Sequence, residues 1–183
     1  MSTVETKNPL FLSVKDGETF TIAGIEFIKF PSVDGQTPVV AKDILFRSRF
    51  GDNNDLRQSN VIKKLEDEFL PKIIEAVGEE NLCIIKTDLT TLDGLKNYGI
   101  MESFISLPTL DFYRANAEIF GKHKADRWWW LATPESARPH SSPDWALCVS
   151  PSGSIIYDGC GIGNNGVRPF CILKSSIFES FEE

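Results

Sequence analysis

The sequence has few of the residues from which most metal and catalytic sites are built. Its 183 residues include two histidines, His123 and His140, and four cysteines with no C-x-x-C pair among them. Zinc sites need closely spaced Cys or His ligands, and a nucleophile-elbow hydrolase needs a serine in G-x-S-x-G, which is absent. The glycine-rich run at 159–163 is not followed by the helix pattern and Lys-Ser/Thr pair of a phosphate loop. We therefore expect no metal, no cofactor and no catalytic residue.

Long apolar runs and basic stripes are also missing. No stretch approaches the roughly 18 apolar residues of a membrane span, and residues 1–7 lack the basic start and apolar stretch of a signal peptide. The net charge is -7, which disfavours binding to nucleic-acid phosphates. We expect a protein made in the cytoplasm that inserts into no membrane and binds no nucleic acid. It either stays in the cytoplasm or leaves without a signal, for example by assembly into a virus particle.

The cysteines, Cys83, Cys148, Cys160 and Cys171, predict free thiols. A reducing compartment keeps thiols unpaired, and the small apolar side chain favours burial, which we expect for three of the four. For Cys148 and Cys171 the sequence leaves the bonding state undecided. Both fall in predicted strands, and a disulfide could join them if these strands are neighbours.

Hydrophobic patterning predicts strands at both ends of the chain and helices between them. The strand patterns lie at 20–30, 39–45, 82–86, 104–107, 128–132, 145–149, 154–157 and 167–173. Turn signals lie at Ala23-Gly24 and Asp34-Gly35. Helical stripes lie at 59–69 after Ser59, at 71–77 before Gly78, and at 108–120. This order predicts an α+β fold, with a mostly antiparallel twisted sheet and two or three helices packed on it.

The chain shows no internal repeat and no linker, so we expect a single globular domain at 17–175. The polar lead-in at 1–16 is predicted to form an N-terminal arm, and 176–183 an acidic tail. The sequence leaves the oligomeric state open: a homo-oligomer would fit, but no coiled-coil heptads support one.

The run Trp128-Trp129-Trp130 is the most unusual local feature. In a strand, Trp128 and Trp130 point to one face and Trp129 to the other, so one face must lie in the core. Leaving the other face in water would cost about 25 cal/mol for each Å² of apolar surface. We interpret the three tryptophans mainly as the core of the closing sheet, with an aromatic binding platform as the alternative.

Arg168 lies between a turn and the closing strand. It is followed by Pro169, which suits a strand edge or a bulge. Its five donors suit a clamp on loop carbonyls or on a carboxylate such as Asp144 or Asp158. We therefore predict a structural role for Arg168.

Several motifs occur in an order that resembles a known family. Residues 127–134 read R-W-W-W-L-A-T-P and are similar to a W-W-L-R-S-P motif, and 166–173 read G-V-R-P-F-C-I-L and are similar to G-V-R-P-A-L-x-L. The segments 59–69 and 104–113 are also similar to family motifs, so the resemblance covers about residues 17–173. The family is an uncharacterised domain common in Gram-positive bacteria and their phages.

The resemblance implies a C-type-lectin-like C-terminal half, the fold group of formylglycine-generating enzymes and phage receptor-binding variable proteins. Ala132 stands where the motif has Arg, so any anion contact of that Arg is missing. Cys160 and Cys171 are too widely spaced for the copper-binding pair of formylglycine-generating enzymes, and the calcium motifs of sugar-binding lectins are absent. These departures argue against the oxidase chemistry and against calcium-dependent glycan binding.

Loops 134–144 and 158–166 are predicted to carry recognition, because surface loops on a rigid sheet commonly do. The candidate partner-binding residues are Arg138, His140, Asp144, Tyr157, Asn164 and Asn165. The predicted function is a non-enzymatic binding or structural module of phage or prophage type, which recognises a protein or surface glycan and could decorate a virion or its fibre. Two alternatives stay open: a formylglycine-generating-like or other cysteine-dependent enzyme that uses Cys160 or Cys148, and an intracellular regulator that binds one host protein.

Overall fold

The computed structural model describes residues 11–138 and 145–179, and its architecture is α+β with mostly antiparallel strand pairing, as predicted. One sheet contains, in spatial order, β1 (Thr19–Ile22), β2 (Ile25–Lys29), β3 (Gln36–Ala41) and β11 (Phe170–Lys174). A second contains, in spatial order, β4 (Phe46–Ser48), β10 (Asn165–Val167), β7 (Trp129–Pro134), β8 (Trp145–Val149) and β9 (Ile155–Gly159). A hairpin is formed by β5 (Ile85–Asp88) and β6 (Ile100–Ser103).

Two turns of the first sheet follow directly from their residues. Between β1 and β2, Ala23 and Gly24 have φ of 53° and 76°, and before β3, Asp34 and Gly35 have φ of 52° and 75°. Positive φ at both central residues matches the twist of an antiparallel hairpin, and glycine adopts it without strain. Both turn predictions are confirmed.

The predicted closing strand at 167–173 is divided between the two larger sheets. β10 pairs with β4 and β7, whereas β11 pairs with β3. The break falls at Arg168-Pro169, where proline has no N–H to donate to a ladder. The Pro169 carbonyl instead accepts a hydrogen bond from Ala41 N at 3.0 Å. The single sheet of the prediction is therefore corrected to two sheets joined by a short link.

The strand predicted at 104–107 forms earlier in the chain, as β6. Of the predicted residues, Ser106 forms a bridge to Phe170, while Ile105 and Leu107 are buried in the core. A short apolar run has the same pattern whether it forms a ladder or only packs, so periodicity could not separate the two.

The helical segment after Ser59 begins at its predicted cap. Ser59 Oγ accepts a hydrogen bond from Ile62 N at 3.0 Å, at the start of α1 (Asn60–Lys64). The segment ends with α2 (Leu70–Val77), followed by Gly78 with φ of 84°. The predicted first and last residues are therefore confirmed to within one residue.

Between α1 and α2 the chain forms a π-helical turn, Leu65–Phe69, instead of the predicted break. This wider turn directly precedes the first turn of α2, which contains Pro71. A proline ring and its missing N–H interrupt a regular α-helix, and a π turn is one of the irregularities that accommodates them.

The helix predicted at 108–120 is interrupted at Asn116, which has non-helical φ and ψ of -120° and 27°. It forms α3 (Leu110–Ala115) and α4 (Ala117–Lys122). Thr109, rather than Pro108, sets the start, because its Oγ1 accepts a hydrogen bond from Phe112 N at 3.1 Å. None of the helices in the described ranges is both long and apolar enough to span a bilayer.

Apolar clusters cover both faces of the second sheet. One face contributes to the larger cluster with Trp130, Ala132, Ala146 and Cys148. The other contributes to a second cluster with Trp129, Leu131, Leu147 and Val149. Trp129 and Trp130 are thus core residues, as predicted. Trp128 is not: it precedes β7, belongs to neither apolar cluster and is 42% exposed.

Each of the two predicted terminal segments has residues that pack against the core. Phe11 N donates to Ile177 O at 2.8 Å, and the Phe11 ring lies 4.8 Å from that of Phe20 and 5.9 Å from that of Phe178. Ile177 and Phe178 belong to a short 3-10 helix, Ser175–Phe178, and are buried. The packed region therefore extends beyond the predicted limits of 17 and 175.

Candidate functional site

An open groove of about 340 Å³ lies at the end of the second sheet where β7 begins. Its walls come from β4, the segment before β7, the β8–β9 turn and the start of β10. The lining residues are Arg47, Asp126, Arg127, Trp128, Pro151, Asn164 and Asn165. Trp128, which the core does not cover, therefore contributes its exposed ring to a concave surface together with two guanidinium groups.

Gly166 holds the two sides of this groove together. In β10 it pairs with Arg47 of β4 and, in parallel, with Trp129 of β7. Its N–H donates to the Trp128 carbonyl at 2.7 Å. A Cβ at Gly166 would overlap the Ile44 side chain, so glycine permits this close approach. Arg47 in β4 and Trp128, directly before β7, are far apart in the chain and are thereby placed on either side of β10.

The loop that carries Asn164 and Asn165 is held by its own hydrogen bonds. Asn165 Nδ2 donates to Asp158 Oδ2 at 2.9 Å and to Cys148 Sγ at 3.5 Å. Gly163 N donates to Gly159 O at 2.8 Å, which closes the loop. Asn165 is therefore a positioning residue as well as part of the groove wall, and Asn164 faces solvent.

The arginines of the groove are not used by the protein itself. Within the described residues, the side chains of Arg47 and Arg127 form neither an ion pair nor a hydrogen bond, whereas three other arginines are paired with aspartates. Asp126 is also unpaired there. In a chain of net charge -7, two unpaired guanidiniums beside an exposed indole are available to a ligand.

Arg138, a predicted binding residue, forms an ion pair within the protein. Its Nε donates to Asp93 Oδ2 at 2.9 Å, and Ser136 Oγ donates to the same oxygen at 2.8 Å. Thr91 Oγ1 donates to Asp93 Oδ1 at 2.5 Å. These hydrogen bonds, from Thr91 first and then Ser136 and Arg138, lower the pKa of Asp93 to about 2. They tie the segment after β7 to the turn at 91–95.

Tyr157 lies on the edge strand β9, outside the groove. Its ring makes a T-shaped contact with Trp145, with ring centroids 5.2 Å apart, and both rings are exposed. His140 and Asp144 lie outside the described residues. Of the six predicted binding residues, the structure thus brings together Asn164 and Asn165 and assigns Arg138 and Tyr157 to other surroundings.

Arg168 clamps backbone carbonyls, as one of the two predicted arrangements requires. Its Nε donates to Ala41 O at 3.0 Å and its Nη2 to His123 O at 3.2 Å. The guanidinium lies 4.7 Å from the centre of the Trp129 ring, a cation–π contact. Burial lowers the pKa of Arg168 to about 10, so the group is charged at neutral pH. The carboxylate partner predicted at Asp158 is not used, because Asp158 accepts from Asn165 instead.

All four cysteines are free thiols, and Cys148, Cys160 and Cys171 are buried. Burial raises the pKa of Cys148 well above its usual value, and nearby Asp158 and Cys160 raise it further. Burial alone raises the pKa of Cys171 to about 12. A nucleophilic thiol needs access and a lowered pKa, and these thiols have the opposite surroundings. No group of His, Cys, Asp and Glu suited to a metal occurs among the described residues.

A smaller cavity of about 150 Å³ lies between β5, the start of α3 and Thr133. Several of its polar groups are engaged within the protein. Asp88 Oδ1 accepts from Thr90 Oγ1 at 2.6 Å, and Thr133 Oγ1 accepts from Leu110 N at 2.9 Å. This cavity is therefore a weaker candidate than the groove.

Sequence reasoning identified the two asparagines of the groove and missed its cations. The charged pair Asp126-Arg127, directly before the tryptophan run, is a local signal that the chain is still at the surface there. Arg47 carries no such signal, because only strand pairing brings it to this end of the sheet.

Comparisons with protein-family models, curated proteins and solved structures find no match to this chain.

Proposed function

We propose that this protein is a non-enzymatic recognition module that binds a protein or a surface glycan through the groove beside Trp128. The observation that carries the proposal is an exposed indole next to two unpaired guanidiniums, held by paired strands. Tryptophan and arginine are the residues most enriched where binding energy concentrates. A groove with an aromatic surface and a few converging polar groups is the usual form of a ligand site.

The energetics favour a ligand at this position. An indole that is 42% exposed gains free energy when a ligand covers it, at about 25 cal/mol for each Å² of apolar surface. Unpaired guanidiniums do not have to break an internal ion pair before they bind. Arg47 and Asn165 belong to paired strands, so their backbone loses little conformational entropy on binding, whereas the exposed arginine side chains lose rotamer freedom.

The resemblance to the phage and Gram-positive domain family supports a finer proposal. In it, the C-terminal half is C-type-lectin-like, and the module decorates a virion or belongs to its fibre. An intracellular regulator that binds one host protein would use the same groove. The cysteine-dependent enzyme is less well supported, because three of the thiols are buried and the pKa of Cys148 and that of Cys171 are raised.

The proposal is tested with labelled protein on a printed oligosaccharide array and on whole Gram-positive cells. We expect the wild type to bind, and the double variant Trp128→Ala/Arg127→Ala to bind at least about tenfold more weakly, which corresponds to about 1.4 kcal/mol. Arg114→Ala is the matched control, because Arg114 is exposed and lines the smaller cavity instead of the groove. Circular dichroism verifies that each variant is folded.

Two results would contradict the proposal. One is binding by the double variant that equals binding by the wild type. The other is the absence of binding to either surface, which would overturn recognition of a surface glycan or a cell-surface protein. Loss of binding in Trp145→Ala with full binding by the double variant would move the site to the edge of β8 and β9.

A further inference from the structure

The geometry points to an anionic glycan as the ligand of this groove: a pyranose that carries a carboxylate or phosphate group. This inference rests on the proposed function and specifies its ligand. The ring would cover Trp128, and the acidic group would lie between Arg47 and Arg127.

The charge of the groove wall is opposite to that of the chain. Its lining has two guanidiniums and one carboxylate, Asp126, whereas the whole chain has 19 basic and 26 acidic residues. A guanidinium binds carboxylate or phosphate oxygens through two parallel hydrogen bonds, and the negative charge of the acceptor makes these bonds stronger than those to a neutral ligand. Since neither arginine has an internal partner among the described residues, an anion would be their first ion pair.

The remaining groups suit hydroxyl-bearing ligands. Asn164 supplies an amide with two donors and an acceptor, and Asp126 supplies a carboxylate that can accept from hydroxyl groups. The indole of Trp128 has an apolar, electron-rich face. The C–H groups on one side of a sugar ring can pack against such a face. The groove volume of about 340 Å³ is at the small end of ligand sites, which favours a short stretch of glycan.

Other anions match the groove less well. Single-stranded nucleic acid is bound along a basic path with several stacking rings, and the groove has one exposed ring. An acidic peptide would satisfy the arginines but needs no aromatic face. A pyranose with an acidic group uses the indole, the amide and both guanidiniums together.

The experiment compares trigalacturonate with its fully methyl-esterified form, and mannose 6-phosphate with mannose. Tryptophan fluorescence and titration calorimetry measure the Kd of each probe for the intact protein. We expect at least one acidic member to bind about tenfold or more tightly than its neutral partner. Trigalacturonate would identify a carboxylate as the recognised group, and mannose 6-phosphate a phosphate. Raising NaCl from about 50 mM to about 500 mM should weaken acid binding, because salt screens exposed charges.

Matched variants assign the effect to the groove. In Arg47→Gln/Arg127→Gln the preference for the acid should disappear, and in Trp128→Ala both members of a pair should bind more weakly. Arg114→Gln should keep the wild-type preference. These variants alter exposed side chains, and thermal melting separates a binding loss from unfolding.

The possible failures are distinguishable. Equal binding of acid and neutral partner, lost in Trp128→Ala, overturns the anionic ligand and leaves the recognition module intact. Binding of polyglutamate, but of no sugar probe, with the same arginine dependence also overturns the glycan. The same follows if no acidic sugar binds while the groove variant still loses binding to the array or cells. Groove variants without effect on any binding overturn both proposals.

Discussion

The buried guanidinium of Arg168 connects three parts of the molecule. It reaches the carbonyl at the end of β3, the carbonyl of His123 after α4, and the ring of Trp129 in β7. It is 1% exposed, and all three contacts lie in the core or at its border. The clamp thus holds the point where the chain passes from one sheet to the other, directly before Pro169.

Arg168→Ala should lower the free energy of unfolding by about 3 kcal/mol, because two carbonyls lose a charged donor and a cavity opens beside Trp129. Arg168→Lys should lower it by less, since its ammonium keeps the charge but cannot reproduce the two-armed geometry. Urea unfolding at neutral pH measures both, with Arg114→Ala as the exposed control, expected within about 0.5 kcal/mol of wild type. A loss in Arg168→Ala no larger than in the control would contradict the clamp.

At the level of elements, the loop between β9 and β10 determines how the groove asparagines are presented. Its glycines differ sharply in their surroundings. A Cβ at Gly163 would lie 2.6 Å from Asp158 Oδ2, 2.8 Å from Gly159 O and 2.9 Å from the Trp130 ring. A Cβ at Gly161 would meet no atom closer than Gly51 O at 4.0 Å. The two positions therefore form a natural matched pair.

Gly163→Ala should destabilise the protein by about 1–3 kcal/mol, because the methyl group can be placed only by moving backbone or the buried Trp130. Gly161→Ala should change stability by less than about 0.5 kcal/mol. Thermal melts of both variants provide the comparison. Similar melting temperatures for the two would show that the loop is less tightly packed against β7 than these distances indicate.

At the scale of the whole molecule, the reactivity of the thiols measures how accessible the core is to solvent. Cys148, Cys160 and Cys171 are buried, and Cys83 is half-buried with a pKa that burial raises. Thiolate is the reactive form, so both access and ionisation limit reaction in the folded state.

A thiol reagent such as Ellman's reagent should therefore modify at most Cys83 rapidly at pH 7, and all four cysteines after unfolding in urea. In Cys83→Ser, fast modification should be absent from the folded protein. Mass spectrometry of the labelled peptides identifies the reacting position. Rapid labelling of Cys160 in the folded protein would restore support for a cysteine-dependent enzyme.

Local signals predicted local structure well. The turns at Ala23-Gly24 and Asp34-Gly35 and the Ser59 cap depend on a few neighbouring residues, and each is confirmed. The division of the closing strand at Arg168-Pro169 was not predicted. An apolar run beside a proline is compatible with one strand or two, and only the competing partners β3 and β7 decide between them.

The candidate site was predicted only in part, because it also depends on strand pairing between distant segments. Arg138, Asn164 and Asn165 are all predicted to bind because they lie in surface loops, but only the two asparagines line the groove, whereas Arg138 ties its loop to Asp93. Arg47 could not have been selected, since its role depends on pairing with a strand more than a hundred residues later.

The sequence by itself determined the α+β class, the caps and turns, the alternation that buries Trp129 and Trp130, and the scarcity of residues for metal or nucleophilic chemistry. These properties follow from residue type and near-neighbour spacing. Only the tertiary structure decided that Trp128 is left outside the core and that Arg47 and Arg127 line one groove with it. Strand pairing and layer coverage depend on the packing of the whole chain, so a recognition surface made from distant segments is visible only after the chain has folded.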